Sequence, residues 1–130
     1  MSSIFTKIIQ GQIPSYKIAE NDRFLAFLDV FPLVQGHVLV VPKVEVDKVY
    51  DLDNVYLSEL LLFAKPIAHA IEKAVPCQRV GLSVIGLEVP HAHLHLVPLQ
   101  TANDLNFTQE KLKLEADELK AMQALILSHL

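Results

Sequence analysis

The chain has 130 residues, 52% of them hydrophobic and 20% charged, a balance that suits one domain with a buried core and excludes a disordered chain. The net charge is −4 with histidine neutral, and no long basic run exists, which excludes a surface that tracks a nucleic-acid polymer but allows a site for one or two phosphates. Mean hydropathy is +0.34, yet the richest stretch, Val55 to Val75, carries Glu59, Lys65, Pro66, His69, Glu72 and Lys73, so no membrane partner is expected.

Ser3 is placed to cap a short helix to about Gln10, with Ile4, Phe5, Ile8 and Ile9 at helical spacing and Gly11 as the stop. The opening MSSIFTKIIQGQ lacks the pattern of a secretory signal, and Cys77 is the only cysteine, so a reducing, cytoplasmic setting is expected. Phe24 to Val30 and His37 to Val41 read as strands, their connection bounded by Pro32 and Gly36. Asp53 or Asn54 caps a long helix to about Ala74, which Pro66 should kink or break. Arg79 to Ile85 and His91 to Val97 read as further strands, Leu99 to Lys113 as a mostly polar loop, and Glu115 to about Ser128 as a closing helix with Leu119, Met122, Leu125 and Ile126 on one face. This pattern predicts an α+β fold, a mostly antiparallel sheet with helices on one side. The chain reads as a single domain, with 114–130 a C-terminal helical extension.

The segment His91-Ala92-His93-Leu94-His95-Leu96-Val97-Pro98 concentrates three of the six histidines in five residues. On a strand the three imidazoles share one face, while Ala92, Leu94 and Leu96 point into an apolar layer. Packing alone does not explain this, because burying three imidazoles leaves six ring nitrogens in need of partners. Two functional readings follow. A metal site would use His93 with His91 or His95, plus His37 or Glu88, since His91 and His95 stand about 13 Å apart on a strand and cannot easily share one ion. Covalent catalysis would use the central His93 as nucleophile, since an unperturbed imidazole keeps a neutral nitrogen available near pH 7. Its neighbours would then orient it and donate hydrogen bonds to phosphate oxygens or the leaving group.

HAHLHLVP resembles the signature of the histidine triad family. Phe27-Leu28-Asp29-Val30-Phe31-Pro32 followed by Gly36-His37-Val38-Leu39-Val40-Val41-Pro42-Lys43, and the opening Ile4-Phe5-Thr6-Lys7-Ile8-Ile9 with Ile13-Pro14, resemble its other conserved segments in the same order. The resemblance implies a five-stranded antiparallel sheet with a long helix, paired as a homodimer. It implies His93 as the residue that forms a nucleotidyl-histidine intermediate and His95 as a contact to phosphate or leaving group. It implies His91 and His37 as partners that orient the nucleophile and Asp29 as the carboxylate for the ribose hydroxyls. Ile4, Phe5, Ile8, Phe27, Val30 and Leu39 would form the base slot, with Glu88 and Val89 beside the nucleotide. The implied activity is hydrolysis or transfer of a nucleoside monophosphate, purine by resemblance, from a phosphoramidate, anhydride or ester. No cofactor is called for; a nucleotide-binding protein with little catalysis, or a metal site on two of the histidines, is the alternative.

The chain departs from the family in two places. Where relatives carry an Asn, a Gly-rich loop and Gly-Gln before the triad, this chain reads Gly81 to Pro90, with Leu87 at the Gln position, Ser83 as a partial substitute and no Asn. Its end is the helix from Glu115 instead of a short crossing tail. His69 and His129 match nothing and read as surface residues.

Overall fold

The computed structural model describes residues 2–130. Its five strands are β1 Lys17–Glu20, β2 Phe24–Leu28, β3 Val38–Pro42, β4 Arg79–Ser83 and β5 Leu94–Leu99. They form one sheet in the order β1-β2-β3-β5-β4, and every neighbouring pair is antiparallel. Helix α1 spans Ile4–Ile9, α2 Asn54–Ala74 and α3 Ala116–Leu127. The expected α+β architecture is therefore present.

Strand alternation divides the sheet into two apolar layers. Phe24, Ala26 and Leu28 of β2, Val38 and Val40 of β3, and Leu94 and Leu96 of β5 face one side, where they pack with Leu60, Ala64, Ile67 and Ile71 of α2. Leu119 and Ile126 of α3 join the same cluster. Leu125, expected on that face, is exposed instead. The intervening residues Leu25, Phe27, Leu39 and Val41 face the opposite side and pack with Phe5 of α1. The helices are thus split, α2 and α3 on one face and α1 on the other. His95, whose cross-strand neighbours are Leu39 and Ser83, lies on the α1 face.

Local chemistry sets the helix ends. The Ser3 hydroxyl accepts the Thr6 N–H at 3.0 Å, and the Asp53 carboxylate accepts the Tyr56 N–H at 3.0 Å. The break expected at Pro66 does not occur; α2 runs continuously through it. Pro66 and Leu62 are both exposed, so the Leu62 carbonyl that loses its helical donor can accept a hydrogen bond from water.

Strand β1 was not foreseen. Its four residues, Lys-Ile-Ala-Glu, are mostly weak strand formers with only Ile18 buried, and its register against β2 slips between Lys17 and Ala19. Strand ends also differ from expectation. Val30 lies beyond β2, His37 precedes β3, Val84 and Ile85 follow β4, and β5 begins only at Leu94, so His91 and His93 stand before the strand. Leu99 ends β5, and Ala102–Leu105 forms a 3-10 turn inside the expected loop.

Gly36 fixes the turn that delivers His37. Its φ of +92° lies in the left-handed region, and a Cβ there would sit 2.8 Å from Val75 Cγ2. Gly36→Ala should destabilise the protein by roughly 2 kcal/mol or more. The midpoint of urea unfolding measures this, and an unchanged midpoint would refute the turn constraint.

Candidate active site

Four histidines, His37, His91, His93 and His95, are buried on or beside the α1 face of the sheet. Their burial is possible because hydrogen-bond partners of fixed character set each ring. His93 Nδ1 lies 2.7 Å from the carbonyl oxygen of His91. A carbonyl only accepts, so Nδ1 carries the proton and Nε2 is left with a bare lone pair. His91 Nε2 lies 2.9 Å from the Pro42 carbonyl and must donate, so His91 Nδ1 accepts the Ser3 hydroxyl proton at 2.8 Å. His37 Nδ1 accepts the Leu33 N–H at 3.1 Å. Its proton therefore sits on Nε2 and is donated to His95 Nδ1 at 2.9 Å. His95 in turn carries its own proton on Nε2. One ring is thus fixed as a lone-pair donor and its neighbour, with centroids 4.9 Å apart, as a hydrogen-bond donor.

The three triad histidines reach one side without a strand pleat at His91 and His93. The backbone there is held by His91 N–H to Val89 O at 2.8 Å and Ala92 N–H to Val46 O at 2.7 Å. The His91 ring is fully buried between Ser3 and Pro42 and packs edge-on against Phe5 at 5.8 Å, and its carbonyl holds His93. His37 touches His95 and not His93.

Two cavities at or beside this cluster hold the expected site residues, and a third, of about 400 Å³, is lined by His93 with Asp47 to Tyr50 and Val84 to Leu87. An apolar slot of about 170 Å³ is lined by Ile4, Phe5, Ile8, Phe27, Val30, Leu39 and Asp29, so the expected base-slot residues and the expected ribose carboxylate share one wall system. Val89 packs beside Phe5 and Phe27. Phe5 links the slot to His93, its ring edge-on at 4.9 Å. Asp29 Oδ1 accepts the Phe31 N–H at 2.9 Å in a turn, and Oδ2 lies 3.8 Å from His37 Nε2. Both readings of Asp29, turn former and ligand group, are compatible with this placement.

The second cavity, about 190 Å³, is lined by His93 and His95, by Ile85 to Glu88, and by Phe107, Thr108 and Lys111. Glu88 stands on its rim, mostly exposed, with Oε2 3.8 Å from Lys111 Nζ. The Phe107 ring packs 4.6 Å from His95. Phe107 and Lys111 were not foreseen; one aromatic and two lysines in a polar stretch give no periodic signal. His69 and His129 are exposed and remote from these contacts.

Asp29, His37 and His95 each offer a ligand atom within 4.8 Å of the others. This is not the grouping expected for a metal, which centred on His93. The hydrogen bonds also disfavour it as an ion site. His37 Nδ1 is occupied by a backbone N–H, so binding an ion at Nε2 would require an imidazole stripped of both protons.

Burial favours the neutral form of His37, His93 and His95. Desolvation pushes His37 and His95 down to about 3, each further lowered by charge near it, and lowers His93 against the opposing pull of the His91 carbonyl. Burial raises the Asp29 carboxyl, opposed by the Phe31 N–H. For His37 and His95 the folded pKa lies below the unfolded 6.5, so the unfolded chain takes up protons first as pH falls. Their contribution to stability is intact above pH 6.5 and is lost as pH falls toward 3. At about 1.4 kcal/mol per pH unit for each group, lowering pH from 6.5 to 5 should remove on the order of 3–4 kcal/mol. Urea midpoints from pH 7 to 5 test this; a flat profile would contradict neutral burial of the pair.

Comparison with known proteins accords with this geometry. Residues 10–102 match the model of the HIT domain. The chain is 34% identical to an uncharacterised HIT-like protein of Borreliella burgdorferi, over 92% of this chain and 91% of that one. It is 38% identical to the adenosine 5′-monophosphoramidase of Schizosaccharomyces pombe, over 75% and 74% of the two chains. The crystal structure of a Hit-like protein from Bartonella henselae superposes with a TM-score of 0.85 at 27% identity, covering 99% of this chain and 97% of that one. With its triad, its sheet and its matched segment in agreement, this chain belongs to the histidine triad family.

Proposed function

We propose that this protein is a nucleotidyl hydrolase or transferase in which His93 Nε2 attacks the α-phosphorus of a nucleoside monophosphate derivative. The bare lone pair on a buried, neutral imidazole, fixed by the His91 carbonyl at 2.7 Å, carries this reading. The base enters the slot between Phe5, Phe27 and Leu39, and Asp29 at its edge takes the ribose hydroxyls. His95 Nε2–H, fixed as a donor by His37, hydrogen-bonds a phosphate oxygen or the leaving group. Nucleophilic attack forms the N–P bond and expels the leaving group with its electron pair; water then replaces His93 and releases the nucleotide. Adenine is the preferred base by likeness to the yeast phosphoramidase. No redox or metal cofactor enters these steps.

The reading includes a homodimer in a reducing, cytoplasmic setting. No helix among the described residues is long and apolar enough to cross a membrane. Strand β4 ends the sheet with Leu82 exposed, followed by exposed Val84 and Ile85, an apolar edge suited to a second copy. Sedimentation should give twice the 14.5 kDa chain mass, and a monomer at micromolar concentration would remove the dimer from the proposal.

Intact-mass spectrometry after brief, acid-free mixing with adenosine 5′-phosphoramidate tests the central claim. A nucleotidyl adduct should form on the wild type and not on His93→Ala, whose turnover should fall by about a thousand-fold or more. Tight nucleotide binding with neither adduct nor turnover would make the protein a binder.

A further inference from the structure

The chain after β5 closes one wall of the histidine cavity. Leu112 N–H donates to the Pro32 carbonyl at 2.8 Å, tying this segment to the β2–β3 connection. Phe107 covers His95, and Lys111 reaches the cavity that His93 and His95 line. Among the described residues, Lys111 is the only Lys or Arg on that cavity wall. Its charge bears on three site groups at once, lowering Asp29, His37 and His95. Among the described residues, its one ion-pair partner is Glu88, whose side chain is 82% exposed and stands at 3.8 Å. So open and long a contact holds the two groups together weakly.

We propose that Lys111 is the cation of a leaving-group subsite, which receives an oxyanion carried beyond the scissile bond, and that Glu88 covers this cation until the ligand displaces it. The Glu88 carboxylate is itself an oxyanion at the position a phosphate or carboxylate of the ligand would take. The subsite rests on the assignment of His93 as nucleophile. With a phosphoric anhydride, the His93 Nε2 lone pair forms the N–P bond and the P–O bond to the leaving phosphate breaks, its electron pair staying on that oxygen. Lys111 stands close enough to offset the charge that gathers there. Water then adds to phosphorus, the N–P pair returns to Nε2, and a proton passes to solvent.

Three substrates separate leaving-group charge from the rest of the reaction: adenosine 5′-phosphoramidate, its N-glycine derivative, and ADP. Lys111→Met should lower kcat/KM for the glycine derivative, ADP or both at least ten-fold more than for the plain amidate. Lys111→Arg should restore most of this, and Lys113→Ala, an exposed lysine of the same segment, should leave the ratios unchanged. Glu88→Gln should raise the same anionic substrates relative to the amidate. Equal losses on all three substrates would place Lys111 on the transferred phosphate and overturn the subsite, as would no loss. A binding arm stands apart from chemistry: in His93→Ala protein, calorimetry should show ADP bound more tightly than AMP, and Lys111→Met should abolish the difference. If the wild type turns over none of the three, the nucleophile assignment fails. The binding arm then decides the subsite alone, and an ADP preference that is absent, or indifferent to Lys111, overturns it.

Discussion

The His93 imidazole is held by one bond, Nδ1–H to the carbonyl of the residue two places before it. That bond is local in sequence, but the carbonyl is in place only because the His91 ring is pinned from both ends. One end donates to Pro42 at the finish of β3, and the other accepts from Ser3 at the cap of α1. The same Ser3 oxygen receives the Thr6 N–H, so the cap that starts α1 also orients the histidine cluster. Phe5, in the first turn of the same helix, lines the apolar slot and touches His93. Helix α1 has only six residues and could not persist alone. It survives by packing on the sheet, and in doing so it couples the slot to His93.

The two faces of the sheet carry different tasks. The α2 and α3 side is continuous apolar packing, with Ile67, Ile71, Leu96 and Ile126 essentially without solvent contact. This side supplies the stability. The α1 side carries imidazoles that lose hydration without gaining charge partners, a cost that appears as pKa values driven down. A site of this kind needs a well-packed opposite face, and strand alternation lets one short segment serve both: Leu94 and Leu96 go to the core, His95 to the site.

Much of this was legible in the sequence, for identifiable reasons. Helix α2 was readable because Asp53 is a strong cap and the apolar period runs for five turns; the two central strands were readable because alternate residues are apolar on both faces. The shared side of the three histidines was inferred from a pleat that reaches only His95. His91 and His93 achieve it through backbone bonds to Val89 and Val46 that no period announces. Tautomers were not legible at all, since they depend on the Leu33 N–H and the Pro42 carbonyl, groups every residue possesses. The cavity wall formed by Phe107 and Lys111 was hidden for the converse reason: its residues are specific but isolated, and only the fold brings them over His95.

Those isolated residues matter because of what the histidines lack. His37, His93 and His95, biased by burial toward the neutral form, can supply a lone pair and directed N–H groups, but in that form they bring no positive charge to a phosphate. Displacement at phosphorus spreads negative charge over the phosphoryl oxygens and the departing atom, and positioned cations are the usual means of offsetting it. Protonating a histidine here would clash with an N–H already aimed at it, from Leu33 onto His37 and from His37 onto His95. A cation outside the cluster can supply that charge, and Lys111 stands on the wall of the cavity that His93 and His95 line. It resides on a segment beyond the 10–102 stretch that matches the family model. The four histidines lie inside that stretch and Lys111 outside it, on a segment that packs against them through Phe107.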